Sequence, residues 1–161
     1  ERKVEKKINL KNPVHFLAVG FGSGLLKPAP GTWGTLAGLM LSILLWNITQ
    51  SNLFFIFLAV ISFIFGCYLC QKTSNDLGVH DDGRIVWDEI VAIFLMFAFL
   101  PEYNWFTYIL TFISFRIFDI LKPYPIRYFD EKLESGLGIM VDDILAAIFA
   151  LISLYIIYWI M

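Results

Sequence analysis

Between Pro28 and Gln71 the chain runs for 44 residues without a Lys, Arg, Asp or Glu, and no other feature limits its fold as strongly. A helix or strand at a water surface needs a polar face, and this tract has none to offer. Its one polar interruption is Asn47-Ile-Thr-Gln-Ser-Asn52, flanked by apolar stretches over 33–46 and 53–70. At ~1.5 Å per residue the flanks make one short and one full bilayer crossing, so the tract predicts a helical hairpin. Composition agrees, since 58% of the residues are apolar and 16% charged, against about 45–50% and about 25% in soluble domains. Disorder is excluded by the same figures, and two Cys in 161 residues exclude a disulfide scaffold.

Three further apolar stretches follow, from 85 or 90 to 100, over 105–121 and over 144–161, with Pro101-Glu-Tyr-Asn104 turning the chain between the first two. The stretch 14–26 is short and carries Gly20, Gly22 and Gly24, which reads as an interfacial or re-entrant helix. The expectation is an all-α, polytopic membrane bundle of about five spans, forming one domain over 1–161 with a basic N-terminal segment over 1–12. All twelve Lys and Arg then fall on one face of the bundle, which the positive-inside rule puts in the cytoplasm.

The acids obey the same partition, although no topology rule requires it. Of fourteen Asp and Glu, only Glu102 falls on the opposite side. Glu1, Glu5, Glu131 and Glu134 read as solvated loop charge. Asp88, Glu89, Asp119, Asp142 and Asp143 instead lie at or inside expected helix ends, where a charge beside hydrocarbon is costly. Clustered carboxylates repel unless a cation joins them, and oxygen ligands without a His or Cys cluster point to magnesium or calcium.

Arg116, Asp119 and Lys122 step by three along one helical face, and Pro123 and Pro125 then stop the helix and present Arg127. Arg suits a bidentate phosphate contact and Lys offers a point charge, whereas a snorkelling patch would not need the Asp between them. Pro28-Ala-Pro-Gly-Thr-Trp-Gly-Thr35 opens the first long stretch with Thr at the expected cap. With Lys27 beside it, the free N–H groups there would form a phosphate cradle using Thr32 and Thr35.

Several chemistries are excluded. Cys67 and Cys70 form C-x-x-C, but in an apolar helix the pair reads as core packing. His15 and His80 are the only histidines, and neither a phosphate-binding P-loop nor a cysteine-phosphatase spacing is present. No nucleic-acid patch exists beyond the N-terminal lysines. Two further membrane classes have signatures of their own. A CDP-alcohol phosphotransferase would carry D-G-x-x-A-R…G-x-x-x-D-x-x-x-D, which is absent, and a transporter would place acids near mid-span with access from both sides.

Five ordered blocks resemble the bacterial phosphatidylglycerophosphatase A family: Gly20-Phe-Gly-Ser-Gly24, Pro30-Gly-Thr-Trp-Gly-Thr35, Gly78-Val-His-Asp-Asp-Gly-Arg-Ile-Val-Trp-Asp-Glu89, Arg116-Ile-Phe-Asp-Ile-Leu-Lys-Pro-Tyr-Pro-Ile-Arg127 and Gly138-Ile-Met-Val-Asp-Asp-Ile144. The resemblance covers nearly the whole chain. It implies an inner-membrane, Mg2+-dependent phosphatase that converts phosphatidylglycerophosphate to phosphatidylglycerol and inorganic phosphate, with a helical core. On this reading Asp88, Glu89, Asp142 and Asp143 bind the metal, with Asp76 and Asp81 as secondary candidates. Asp81, Asp88, Arg116 and Asp119 are the expected catalytic groups, and Lys27, Thr32, Thr35, Lys122 and Arg127 hold the substrate phosphate. Asp88 and Glu89 diverge by about 100° on a helix, so both reach one ion only at a helix end. The attacking group is expected to be water, with an aspartyl-phosphate route as the alternative.

Overall fold

The computed structural model describes residues 30–77, 86–121, 124 and 136–161, which form five helices and, among the described residues, no strand. These are α1 (Pro30–Thr49), α2 (Asn52–Leu77), α3 (Trp87–Ala98), α4 (Trp105–Leu121) and α5 (Gly136–Ile160). The expected hairpin is present. Gln50 closes α1 in the left-handed region with φ 45°, a conformation that costs a non-glycine residue about 1 kcal/mol. The Ser51 hydroxyl then accepts the Phe54 N–H at 3.1 Å and caps α2. The 101–104 turn also holds, with Asn104 Oδ1 capping α4 by accepting the Thr107 N–H at 2.9 Å.

Among the described residues, three helices are long and apolar enough to cross a bilayer: Thr32–Thr49, Asn52–Thr73 and Met140–Ile160. The five-span expectation is met to that extent. The 17 residues of α4 rise ~26 Å and the 12 of α3 only ~18 Å, below the ~30 Å hydrocarbon thickness. The stretch 14–26 lies outside the described residues. Two other boundaries moved. Pro30 takes the first helical position of α1, so Thr32 lies inside the helix rather than capping it. α5 begins at Gly136, eight residues before the apolar run at Ile144, so Asp142 and Asp143 lie well inside the helix.

α3 is the centre of the bundle. Eleven of its twelve residues are buried, and it packs against α1, α2 and α5. Contacts fix the helix directions. Gly34 and Gly38 of α1 run alongside Val86 and Ile90, Met140 and Asp143 of α5 lie level with the start of α3, and Asn52 of α2 meets its end. One end of the bundle therefore collects the starts of α1, α3 and α5 with the ends of α2 and α4. We call it the carboxylate end.

At the opposite end α3 stops short, and its last carbonyls need partners because lipid supplies none. Tyr103 donates its hydroxyl to Phe97 O, Asn52 Nδ2 donates to Ala98 O at 2.9 Å and Tyr155 donates to Phe99 O at 2.5 Å. Tyr103 also stacks on Trp46, with ring centroids 3.5 Å apart. Burial pushes the Tyr103 phenol up to about 12, so it stays a donor throughout the physiological range. Outward-facing side chains such as Leu44, Ile64, Ile120 and Trp159 are exposed and apolar, a surface suited to hydrocarbon.

α1 and α3 approach each other closely at two glycines. A Cβ on Gly34 would lie 2.4 Å from Val86 Cβ, and one on Gly38 would lie 3.0 Å from Ile90 Cα. With Ser42, these residues form a small-residue stripe at intervals of four, which lets two helices meet backbone to backbone. Gly34→Ala is expected to lower stability in detergent by about 1–3 kcal/mol through overpacking. Adding Val86→Ala should recover part of that loss, a coupling that a double-mutant cycle of thermal unfolding would measure.

A buried carboxylate cluster beside Arg116

Asp88 and Glu89 occupy the first turn of α3 and Asp143 the second turn of α5. One oxygen from each lies within 4.8 Å of the other two. They are 7%, 8% and 2% exposed, respectively. The helix-end condition for two adjacent carboxylates to converge is met, because the first turn of α3 has no preceding turn to separate them. Asp88 Oδ1 accepts the Glu89 N–H at 3.0 Å, and the helix dipole favours negative charge there.

Arg116 of α4 brings the cation. Its Nη1 donates to Asp119 Oδ2 and lies 3.9 Å from Glu89 Oε1. The expected Arg116–Asp119 pairing at i, i+3 is therefore present. Asp119 reaches further than the sequence suggested, since it also lies within hydrogen-bonding reach of Asp143. Asp142 is buried next to Asp143 but is not one of the three converging carboxylates.

Charge magnitudes decide what this arrangement requires. Two carboxylates 4.8 Å apart repel by ~3.5 kcal/mol at an effective dielectric constant of about 20. Three such pairs rival the whole stability of a domain, about 5–15 kcal/mol, and Arg116 supplies one positive charge against them. Among the described residues, Glu89 Oε2 and Asp143 Oδ2 are buried without a hydrogen-bond partner. Oxygen-only donors with unpartnered atoms fit a hard divalent cation such as magnesium. Arg116 Nε is likewise buried without a partner among the described residues, a donor suited to an anion's oxygen.

Thr35 is buried and Thr32 half-buried in the first turns of α1, next to Gly34, which abuts Val86 two residues before Asp88. Asp76 lies in the last turn of α2, its side chain outside the described part of the structure. Lys27, Asp81, Lys122 and Arg127 lie outside the described residues. Cys70 packs in the core with its Sγ 3.9 Å from Met140 Sδ, as a structural cysteine would. The glycine stripe that seats α3 is part of the site's support, and its four-residue spacing was the available signal.

Residues 16–158 match the family profile described as PgpA, Phosphatidylglycerophosphatase A. The chain is 59% identical over 155 residues to phosphatidylglycerophosphatase A of Haemophilus influenzae, covering 96% of this chain and 94% of that one. It is 40% identical over 155 residues to phosphatidylglycerophosphatase A of Escherichia coli, covering 94% and 87%. At 32% over 149 residues, covering 89% and 92%, it matches a Bacteroides thetaiotaomicron protein with a provisional phosphatidylinositol-3-phosphatase name. No solved structure matches the chain.

The crowding of charge has a measurable consequence. In excess chelator, Asp143→Asn should unfold at a higher temperature than wild type, because it removes the repulsion of Asp143 with Asp88, Glu89 and Asp119. Arg116→Gln should unfold lower, by about 3 kcal/mol for a buried carboxylate stripped of its cation, and Asp119→Asn should recover part of that.

Proposed function

This chain belongs to the phosphatidylglycerophosphatase A family, a family of phosphatases, and from that premise we propose that it hydrolyses phosphatidylglycerophosphate to phosphatidylglycerol and inorganic phosphate. The observation that carries this reading is the convergence of Asp88, Glu89 and Asp143 beside Arg116 at one end of an apolar bundle. A phosphomonoester dianion resists attack, so its site must neutralise charge and align an attacker. Asp88, Glu89 and Asp143 would hold Mg2+, with Asp142, Asp76 and Asp81 as outer candidates. Bound magnesium would supply charge neutralisation at the transferring phosphoryl group and orientation of the water.

The chain's own groups do the rest. Arg116 binds phosphate oxygens through its unpartnered Nε, and Asp119 holds the guanidinium in place. Asp119 also takes a proton from the attacking water, being the carboxylate outside the ion-binding three that reaches Asp143. Water forms the new P–O bond, and the bond to the glycerol oxygen breaks, that oxygen taking up the proton that Asp119 accepted. Thr32, Thr35, Lys27, Lys122 and Arg127 complete the phosphate pocket. The enzyme sits in the bacterial inner membrane with this end toward the cytoplasm, a placement supported by the one-sided Lys and Arg distribution. A transporter is disfavoured, because the far end of α3 is closed by Tyr103, Asn52 and Tyr155.

Phosphate release from phosphatidylglycerophosphate by the purified protein in detergent tests this. Activity should vanish in excess chelator and return with magnesium. Asp88→Asn and Asp143→Asn should each lower kcat by about 10²-fold or more. Undiminished turnover in chelator would refute the metal assignment, and preference for phosphatidylinositol-3-phosphate would move the substrate toward the Bacteroides relative's name.

A further inference from the structure

A carboxylate site this deep poses a problem for a lipid substrate. Asp143 lies three residues inside the apolar span Met140–Ile160, ~5 Å from its start, and is fully enclosed by the bundle. A head group can descend that far only if an acyl chain finds room alongside it within the bundle's apolar wall. One seam offers that room. Between α1 and α4 lies a groove of about 260 Å³, lined by Leu36, Leu39 and Met40 on one wall and Trp105, Ile109 and Phe112 on the other. Its lining is apolar, and its volume exceeds the roughly 150 Å³ cavity that stays dry and accepts benzene. α1 and α4 also pack more loosely than α3 does against either α1 or α2.

The groove leads to the site. Phe112 is one helical turn from Arg116 on the same face of α4, and Leu39 is one turn from buried Thr35 on α1. From Phe112 to Trp105 it follows α4 for ~10 Å toward the opposite end. A second hollow of about 450 Å³ is larger, but its lining comes from the outer half of α5 alone, around Ile152 and Trp159. That hollow has no wall from the helix that carries Arg116, whereas the α1–α4 seam runs along that helix and joins lipid-facing surface to the guanidinium.

Resting on the phosphatase reading above, we propose that this seam is the acyl-chain track of the site. One chain of the substrate lipid lies in the groove while its phosphomonoester reaches Arg116. Groove width then selects among acyl chains, and the seam is the lateral entrance from the bilayer.

Two arms test the proposal on the full-length protein. Met40→Trp and Ile109→Trp, which fill the groove from either wall, should raise KM for long-chain phosphatidylglycerophosphate on the order of tenfold, at about fourfold per displaced methylene. Neither should change kcat, or KM for the same phosphorylated head group lacking acyl chains, and Ile152→Trp in the other hollow should change nothing. In the second arm, phosphatidic acid brominated on its acyl chains is a minor lipid in phosphatidylcholine nanodiscs. It should quench fluorescence that is missing in Trp105→Phe, and brominated phosphatidylcholine at the same fraction should not. Equal quenching by both lipids, or equal KM changes with and without acyl chains, would overturn the track. Quenching without phosphate release from phosphatidylglycerophosphate would leave the track standing and remove the phosphatase reading, and release without quenching or KM change would do the reverse.

Discussion

Two adjacent carboxylates enter an apolar bundle on the first turn of α3, and a third meets them from α5. Repulsion of several kcal/mol per pair sets the terms for everything around them. Arg116 from a third helix and the positive end of the α3 dipole offset part of it, and the proposed divalent cation would offset more. The proposed chemistry and the destabilising term thus fall on the same feature. A fold that keeps such a cluster must be held firmly elsewhere, and α3 is where that holding occurs.

α3 is short because it is enclosed. Its twelve residues do not reach across a bilayer, so its far end terminates in the protein's own polar contacts. At one end the Asp88 carboxylate accepts the Glu89 N–H. At the other, Asn52, Tyr103 and Tyr155 from three different segments donate to three successive carbonyls. Glycines on α1 bring the backbones close enough for this enclosure. The carboxylate positions therefore depend on contacts at the other end of α3, ~12–15 Å away.

Much of this was legible in the sequence, and the exceptions have physical causes. The Asn47-to-Asn52 hairpin and the 101–104 turn were readable because polar and turn-forming residues interrupt apolar runs. Asp88, Glu89 and Asp143 stood out because charge is costly beside hydrocarbon. The full burial of α3 was hidden, since hydrophobicity alone does not separate a short enclosed helix from a crossing one. The early start of α5 was hidden too, because Gly136 and Gly138 are weak helix formers that tertiary packing overrides. Which acids converge, and that Asp142 is not among the three, depends on helix rotation that spacing leaves open.

The central claim is that Asp88, Glu89 and Asp143 together form one divalent-cation site. Electron paramagnetic resonance of manganese added to the detergent-solubilised protein tests it most directly. A bound-manganese signal displaced by magnesium, and lost in both Asp88→Asn and Asp143→Asn, is the result this account predicts. Manganese bound equally by wild type and both variants would contradict it.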